Sequence, residues 1–424
     1  MNTSLKIAFF VFGGLVIVFF LIFIGVIPGR RTPAPPAVKL EFWGAGDTKD
    51  QWLDIVNAYM EDNRHVAITY REIDKETYEE FLVNKLAEGR GPDIFMLKNA
   101  WVEKHQDKVY PLPQEKFRYY PKDFRRDFVD IASDDLITES GEIIGVPLYI
   151  NTPALFYNKD VFNSRNIALP PKTWDEVIET SKKLTELTSV GDIIRGGIAL
   201  GSATNIEHFV EILSSVIFQS GEKIADSREI DLDLPAEQAL TFYTSFADPT
   251  KSHYSWNIRM KNSHDALADG TAVMAIGLAS DIPRIKAKNP HLTLGISSFP
   301  QQKSTKKPIV YGTYYFPAVS VASRAPEEAW SFLLYAASQG SARAYAGVTN
   351  RAPARRDIIQ GGTTSQELEV FYSQALIAKS WRMPDERTVE SLMRDMIESV
   401  ILKTTTPAHA IGNFYQKLRI IMKR

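Results

Sequence analysis

From Ile7 to Ile27 the chain carries no charged side chain, and most positions are large and apolar. At about 1.5 Å per residue, roughly 20 such residues in a helix cover the ~30 Å hydrocarbon core of a bilayer. Lys6 precedes the stretch, and Arg30 and Arg31 follow it. The apolar run is longer than a usual signal-peptide core, and no small-x-small cleavage site follows it. It predicts a retained transmembrane anchor over residues 1–28, with an uncleaved signal segment as the alternative. Thr32-Pro33-Ala34-Pro35-Pro36 predicts a stiff Pro-rich linker over 29–37.

Beyond the linker the rhythm alternates between strand and helix. Val38–Trp43 reads as a buried strand, and 50–62 as an amphipathic helix with Trp52, Ile55, Val56, Tyr59 and Met60 on one face. Val66–Glu72 alternates as a second strand. Tyr78–Leu86 reads as a helix ended by Gly89 and Gly91, and Asp93–Leu97 as a third strand. Residues 146–158 are extended. Thr173 and Glu176 form a capping-box signature before a helix over Trp174–Leu184. Further helices are predicted over 205–218, from Leu234 to about Phe246, over 264–269 and over 326–337. A strand is predicted over 272–276, extended chain over 310–322, and largely helical chain over 368–415. This alternation predicts an α/β protein built on a parallel, doubly wound sheet with helices on both faces.

The 424 residues include 44% apolar and 24% charged side chains, ordinary values for a globular protein with a large core. Net charge is -2, so no electrostatic argument supports a nucleic-acid partner. There is no cysteine. Disulfides, thiolate metal sites, cysteine nucleophiles and a cysteine-borne lipid anchor are thereby excluded.

Catalytic signatures such as GxSxG, HExxH, a P-loop or a Rossmann GxGxxG are absent. His65, His105, His208, His253, His264, His291 and His409 are scattered, and none pairs at metal-ligand spacing. Surface or packing roles are expected for them, with no metal site and no cofactor. Asp231-Leu232-Asp233 precedes a Pro235 helix start, where acids suit the helix dipole. Asp134 and Asp135 read as a loop pair with nothing to raise a pKa, so paired-carboxylate glycosidase chemistry has little support.

Several segments, in order, resemble the extracellular solute-binding proteins of ABC importers, of the maltose-binding-protein-like type. They are Lys85-Leu86-Ala87-Glu88-Gly89-Arg90-Gly91-Pro92-Asp93-Ile94, Gly145-Val146-Pro147, Ala154-Leu155-Phe156-Tyr157-Asn158-Lys159-Asp160 and Leu169-Pro170-Pro171-Lys172-Thr173-Trp174-Asp175-Glu176. After these come Ala266-Leu267-Ala268-Asp269-Gly270-Thr271-Ala272-Val273-Met274, Glu327-Glu328-Ala329-Trp330-Ser331-Phe332-Leu333 and Asn350-Arg351-Ala352-Pro353-Ala354-Arg355. The resemblance runs from about Val38 to the C-terminus.

It implies a periplasmic-binding-protein-like fold of type II, with two lobes joined by a hinge and closing on ligand in the cleft between them. The expected divisions are 38–148 in lobe I, 149–268 in lobe II, 269–320 back in lobe I, and 321–424 in lobe II with the C-terminal helices. Ligands sit outside the carboxyl ends of strands in such sheets. The ligand-binding candidates are Trp43, Asp47, Asn99, Trp101, Tyr149, Asn151, Trp256, Ser280, Tyr314, Tyr315 and Arg351, with Gly44, Lys98, Asp281 and Trp381 beside them. Aromatic faces pack on the C–H face of a sugar, and Asn, Asp and Arg meet its hydroxyls. In the resemblance, Asn99 and Asn151 stand where polar sugar contacts are common. A Trp common after the strand ending near Met274 is replaced here by Gly277-Leu278-Ala279-Ser280-Asp281.

The resemblance therefore implies a non-enzymatic binding protein that captures a small solute, with sugars and oligosaccharides favoured, and the lack of a heptad or large exposed stripe predicts a monomer. It would deliver the solute to ABC transporter permease subunits from the outer face of the cell membrane, tethered to the bilayer through residues 7–27. The charge rule alone places the Arg30–Arg31 side inside; the resemblance places the large domain outside. Two rival readings are a membrane-anchored sensor or assembly subunit that kept the binding fold, and an anchored carbohydrate-active enzyme.

Overall fold

The computed structural model describes residues 3–23, 36–221, 234–303 and 307–422. Arg30, Arg31, the linker up to residue 35 and the Asp231/Asp233 pair lie outside the described residues.

Thr3–Phe23 form a helix. Its described side chains are Ile7 and those of 10–21, nearly all exposed and most of them large and apolar. Among the described residues, no helix is long and apolar enough to cross a membrane.

The strands are β1 (Val38–Ala45), β2 (Val66–Ile73), β3 (Ile94–Lys98), β4 (Tyr149–Ile150), β5 (Ala154–Asn158), β6 (Glu186–Leu187), β7 (Ile193–Ile198), β8 (Ala272–Gly277), β9 (Leu294–Ser297), β10 (Val310–Tyr311), β11 (Tyr315–Val319), β12 (Ala352–Pro353) and β13 (Ala378–Lys379). One sheet has the order β11-β3-β1-β2 and the other β6-β7-β8-β5-β9. β1 runs parallel to β2 and β3, whereas β11 lies antiparallel to β3. In the second sheet β7 and β8 are parallel, and β5 is antiparallel to both β8 and β9. Both sheets are thus mixed, a departure from the all-parallel expectation. Strands entering from the other lobe, β5 and β11, run against their neighbours.

Burial explains the sequence pattern of each strand. β8, with the sequence AVMAIG, is buried at every position, and so are the first four residues of β3. A central strand covered on both faces reads as a continuous apolar run. β2 lies at the sheet edge and alternates, with Val66, Ile68 and Tyr70 inward and Ala67, Thr69 and Arg71 outward. The helix Lys49–Asp62 buries Trp52, Ile55, Val56 and Tyr59, the face its spacing predicts. Thr173 caps the helix Trp174–Leu184: Glu176 N donates to Thr173 Oγ1, and Thr173 N donates to Glu176 Oε2.

The helices divide between the lobes in a way the sequence reading did not draw. Pro326–Ala336 packs on β11 and on Lys49–Asp62, and Gln339–Thr349 packs on Lys49–Asp62, so 326–349 belongs with the first sheet. β8 and β9 lie in the second sheet. The expected divisions at 269–320 and 321–424 are corrected accordingly: the return to the first lobe comes at β11, and the last departure comes after β12. Two of these passages run side by side, because Asn151 and Thr313 exchange backbone hydrogen bonds of 2.9 and 3.0 Å. The short pairs β4–β12 and β10–β13 add further stitching.

Candidate functional site

Three polar clusters lie around the passages between the lobes. The first is built at the end of β1. Tyr70 passes over the chain there, and its hydroxyl donates to the Asp47 carbonyl at 2.9 Å. A Cβ at position 44 would fall 1.6 Å from that hydroxyl oxygen, so only glycine fits. Asp47 is fully buried. Its carboxylate accepts from Trp52 Nε1 (3.2 Å), the Tyr345 hydroxyl (2.6 Å) and Arg351 Nη1 (2.6 Å). The Arg351 guanidinium lies 4.4 Å from the Tyr149 ring centre. The Tyr149 hydroxyl accepts from Tyr315 N at 3.2 Å. The charge pair is internal and satisfied, so this cluster braces the cleft wall and offers little to a ligand.

The second cluster is centred on Asp135, in the helix Asp130–Leu136. Its carboxylate accepts from Asn99 Nδ2 (3.1 Å), the Tyr314 hydroxyl (2.9 Å) and the Ser380 hydroxyl. Burial pushes its pKa up to about 6, against the downward pull of those hydrogen bonds. The expectation of a loop pair with nothing to raise a pKa is corrected for Asp135: it is helical, buried and perturbed. Its three partners tie the helix to β3, to the passage before β11 and to the chain after β13, which is a structural role.

The third cluster faces open space. A cavity of about 170 Å³ is lined by Lys98 from the first lobe, Tyr311 and Thr313 from a passage, and His208, Phe209, Glu211, Met383, Glu386 and Glu390 from the second-lobe side. Lys98 ends β3, and Glu386 opens the helix Glu386–Ile401, whose N-cap Asp385 accepts from Thr388 N. Lys98 Nζ forms an ion pair with Glu386. Trp101 Nε1 donates to the other Glu386 oxygen at 2.7 Å. Beside it Lys104 bridges Asp385 (2.5 Å) and Glu79 (2.9 Å). Burial works against the Lys98 charge, yet Glu386, with Tyr315 and Glu211 further off, outweighs it and holds the ammonium pKa above its ordinary value. The lobes are therefore closed onto each other through charged contacts at the rim of a small cavity.

The eleven predicted contacts distribute around this cavity without lining it directly. Asn99 and Trp101 flank Lys98; Tyr314 and Tyr315 follow Thr313; Asn151 pairs with Thr313. Asn151 Oδ1 is buried, and no donor among the described residues reaches it. Tyr314 is committed to Asp135, and Tyr315 meets Trp101 edge-on at 5.5 Å. Trp43 is covered by Phe81 (5.2 Å) and Arg71 (5.3 Å) and is core. Trp256 is wholly buried with Nε1 on Asn205 Oδ1 at 3.1 Å, a packing residue of the second lobe. Trp381 is likewise buried. Ser280 is exposed in the turn Ala279–Asp281, beside Asp281. Asp47, Tyr149 and Arg351 form the brace described above.

Sequence reasoning missed Glu386, Glu211, Met383, Tyr311 and His208. The one local signal was the acidic pair Asp385-Glu386 after Pro384, a helix-start pattern that fixes where the helix begins but not what it touches. A larger groove of about 680 Å³, lined by Thr241, Thr244, Lys251, Lys403, Thr405 and their neighbours, lies within the second lobe alone and is not an interlobe site.

With this geometry in hand, the relatives can be placed. A family model described as bacterial extracellular solute-binding protein matches residues 54–371. The chain is 21% identical over 289 residues to a curated binding protein of Brucella abortus (strain 2308). That match covers 66% of this chain and 66% of the relative's length. In three dimensions the chain is similar to the sugar-binding protein MalE from Xanthomonas citri, with a TM-score of 0.77 at 17% identity, covering 91% of this chain and 97% of that one. It is also similar to an ABC transporter solute-binding protein from Thermotoga lettingae bound with alpha-D-tagatose, with a TM-score of 0.69 at 21% identity, covering 91% and 100%. These likenesses show the periplasmic-binding-protein-like α/β fold, and the family match covers more than half of the sequence. The chain belongs to the bacterial extracellular solute-binding protein family.

Proposed function

We propose that this protein captures a small polar solute, with sugars favoured, between its lobes and hands it to the permease subunits of an ABC importer. The observation that carries this reading is the cavity shared by both lobes and a passage between them, closed at its rim by Lys98 and Glu386. Tyr311 and Thr313 bring hydroxyls to the cavity wall, suited to a solute hydroxyl. Phe209 and Tyr311 supply aromatic surface in the cavity wall. The volume, about 170 Å³, is below the roughly 300–1,000 Å³ usual for drug-sized ligands. In this closed arrangement it favours a solute of about one ring over a long oligosaccharide.

A second reading has its own support. Glu211, Glu386 and Glu390 face the cavity against a single lysine, Lys98, which favours a solute carrying an ammonium group. The protein would work as a monomer in either case.

A further element of the proposal, a retained anchor that holds the lobes on the outer face of the membrane, rests on the uncharged apolar run Ile7–Ile27 of the sequence. Its exposed Phe10, Phe12, Leu15, Phe19 and Phe20 have no partner surface in the folded lobes.

Thermal melting of the full chain in detergent, against neutral sugars, amino sugars, polyamines and amino acids, tests the function. A ligand at 100 times its Kd adds about 2.7 kcal/mol of stability. A shift with one neutral sugar class, lost in Thr313→Val, is expected. A shift confined to amino sugars or polyamines and lost in Glu211→Gln selects the cationic solute. No shift with any compound in a folded sample overturns solute capture.

A further inference from the structure

The second lobe gathers two histidines and an aspartate that the sequence keeps far apart. His208 precedes the helix Phe209–Gln219 with φ +60°, and its Nε2 lies 2.8 Å from Asp281 Oδ2. His264 is buried in the helix Ser263–Asp269. Its Nε2 lies 2.8 Å from the carbonyl oxygen of Ile276, which accepts only if that nitrogen carries the proton. The lone pair therefore resides on Nδ1, 3.9 Å from the same Asp281 oxygen. One donor atom from each residue lies within 4.8 Å of the others.

We infer that His208, His264 and Asp281 form a binding site for a divalent transition-metal ion such as zinc. Ligands of a tetrahedral zinc at ~2.1 Å stand about 3.4 Å from one another, and the separations of 2.8 and 3.9 Å bracket that value. Two imidazoles with one carboxylate suit zinc, copper or nickel over magnesium or calcium. The Ile276 carbonyl supplies the second contact that orients a metal-bound histidine and fixes its tautomer. The reading of the histidines as scattered is thus overturned by the fold, which joins positions 208 and 264.

Two things oppose the site: the His208 Nε2 proton, which is donated to Asp281 and leaves to solvent when the ion binds, and Arg284. Arg284 Nη2 donates to His264 Nδ1 at 2.8 Å and also reaches Glu207 Oε1 at 3.1 Å. Its side chain is 54% exposed, so it can leave His264 for solvent and keep its pairing with Glu207. Once Arg284 withdraws from His264, Asp281 remains as the anionic ligand of the dication, while Glu207 stays paired with Arg284. His208 also lines the interlobe cavity, so the ion would lie against its second-lobe wall. The inference stands apart from the identity of the transported solute.

Zinc uptake by the full chain, measured by equilibrium dialysis with metal analysis and by competition with a chromophoric chelator, tests it. One zinc per chain is expected. His264→Gln and Asp281→Asn should each weaken binding by about 10–100-fold or more, and Arg284→Met should strengthen it. Should Asp281→Asn fail to fold in chelator, His208→Gln and the visible absorption of the cobalt-loaded wild-type chain decide, with the intense bands of a four-coordinate ion expected. Absence of stoichiometric zinc overturns the site. So does zinc binding that is indifferent to His208 and His264, because the ion would then sit elsewhere.

Discussion

Asp135 sits where four segments meet, and its proton is held by that position. Its folded pKa, about 6, lies above the ordinary 3.8, so between those values the folded chain keeps a proton that the unfolded chain has lost. The stability this contributes is full below about pH 4 and disappears as pH rises through about 6. The shift of roughly two units is worth about 3 kcal/mol. Asp135→Asn removes this dependence. Urea unfolding of wild type and variant at acid and neutral pH should show their stability difference changing by up to about 3 kcal/mol, and a difference that is constant with pH would refute the assignment. This residue was invisible in the sequence, because nothing in Asp134-Asp135 says which carboxylate turns inward. Asp47 and Arg351 were each read as a separate ligand contact, and only folding shows that they pair with each other. The tryptophans misled for a common reason. An indole suits a sugar face and a core equally well, and Trp43 and Trp256 both went to the core.

Elements with long, regular patterns were legible. The helices Lys49–Asp62 and Trp174–Leu184 begin and bury their faces where periodicity and caps place them. Short or weakly patterned elements were not. β6 and β9 have only a few residues each, and the helix Gln339–Thr349 carries two glycines and few large apolar side chains. Its helical state comes from packing on Lys49–Asp62, a tertiary effect that propensity does not register. The Thr3–Phe23 helix is the opposite case, with strong local signal and with its described large apolar side chains exposed. Deleting residues 1–37 is expected to move the protein from the membrane fraction to the soluble one while leaving ligand-dependent melting intact. A mature wild-type chain found to begin near residue 38 would sink the anchor.

At the scale of the whole molecule, the two-lobed architecture was readable from motif order, whereas the lobe boundaries were not. Strand entry from the opposite lobe leaves no mark in the local pattern: β8 reads as a buried strand in either sheet. The closed arrangement depends on contacts between groups nearly 300 positions apart, Lys98 with Glu386 and Lys104 with Asp385. Glu386→Gln removes the anionic partner of Lys98 in a part-exposed pair that joins the lobes. Ligand-free variant protein should therefore shift toward an open state. Small-angle scattering checks this as a larger radius of gyration than wild type, and an unchanged radius would show that closure rests on other contacts.

Lys98 and Trp101 converge on the two oxygens of one carboxylate. Retention time in the cleft can thus be adjusted at a single codon, whose carboxylate both latches the lobes and faces the cavity. A population facing scarcity and one facing plenty could diverge at position 386 alone. The same position suits sensor engineering: substitutions at 386 would set the working range of a reporter through the ease of closure.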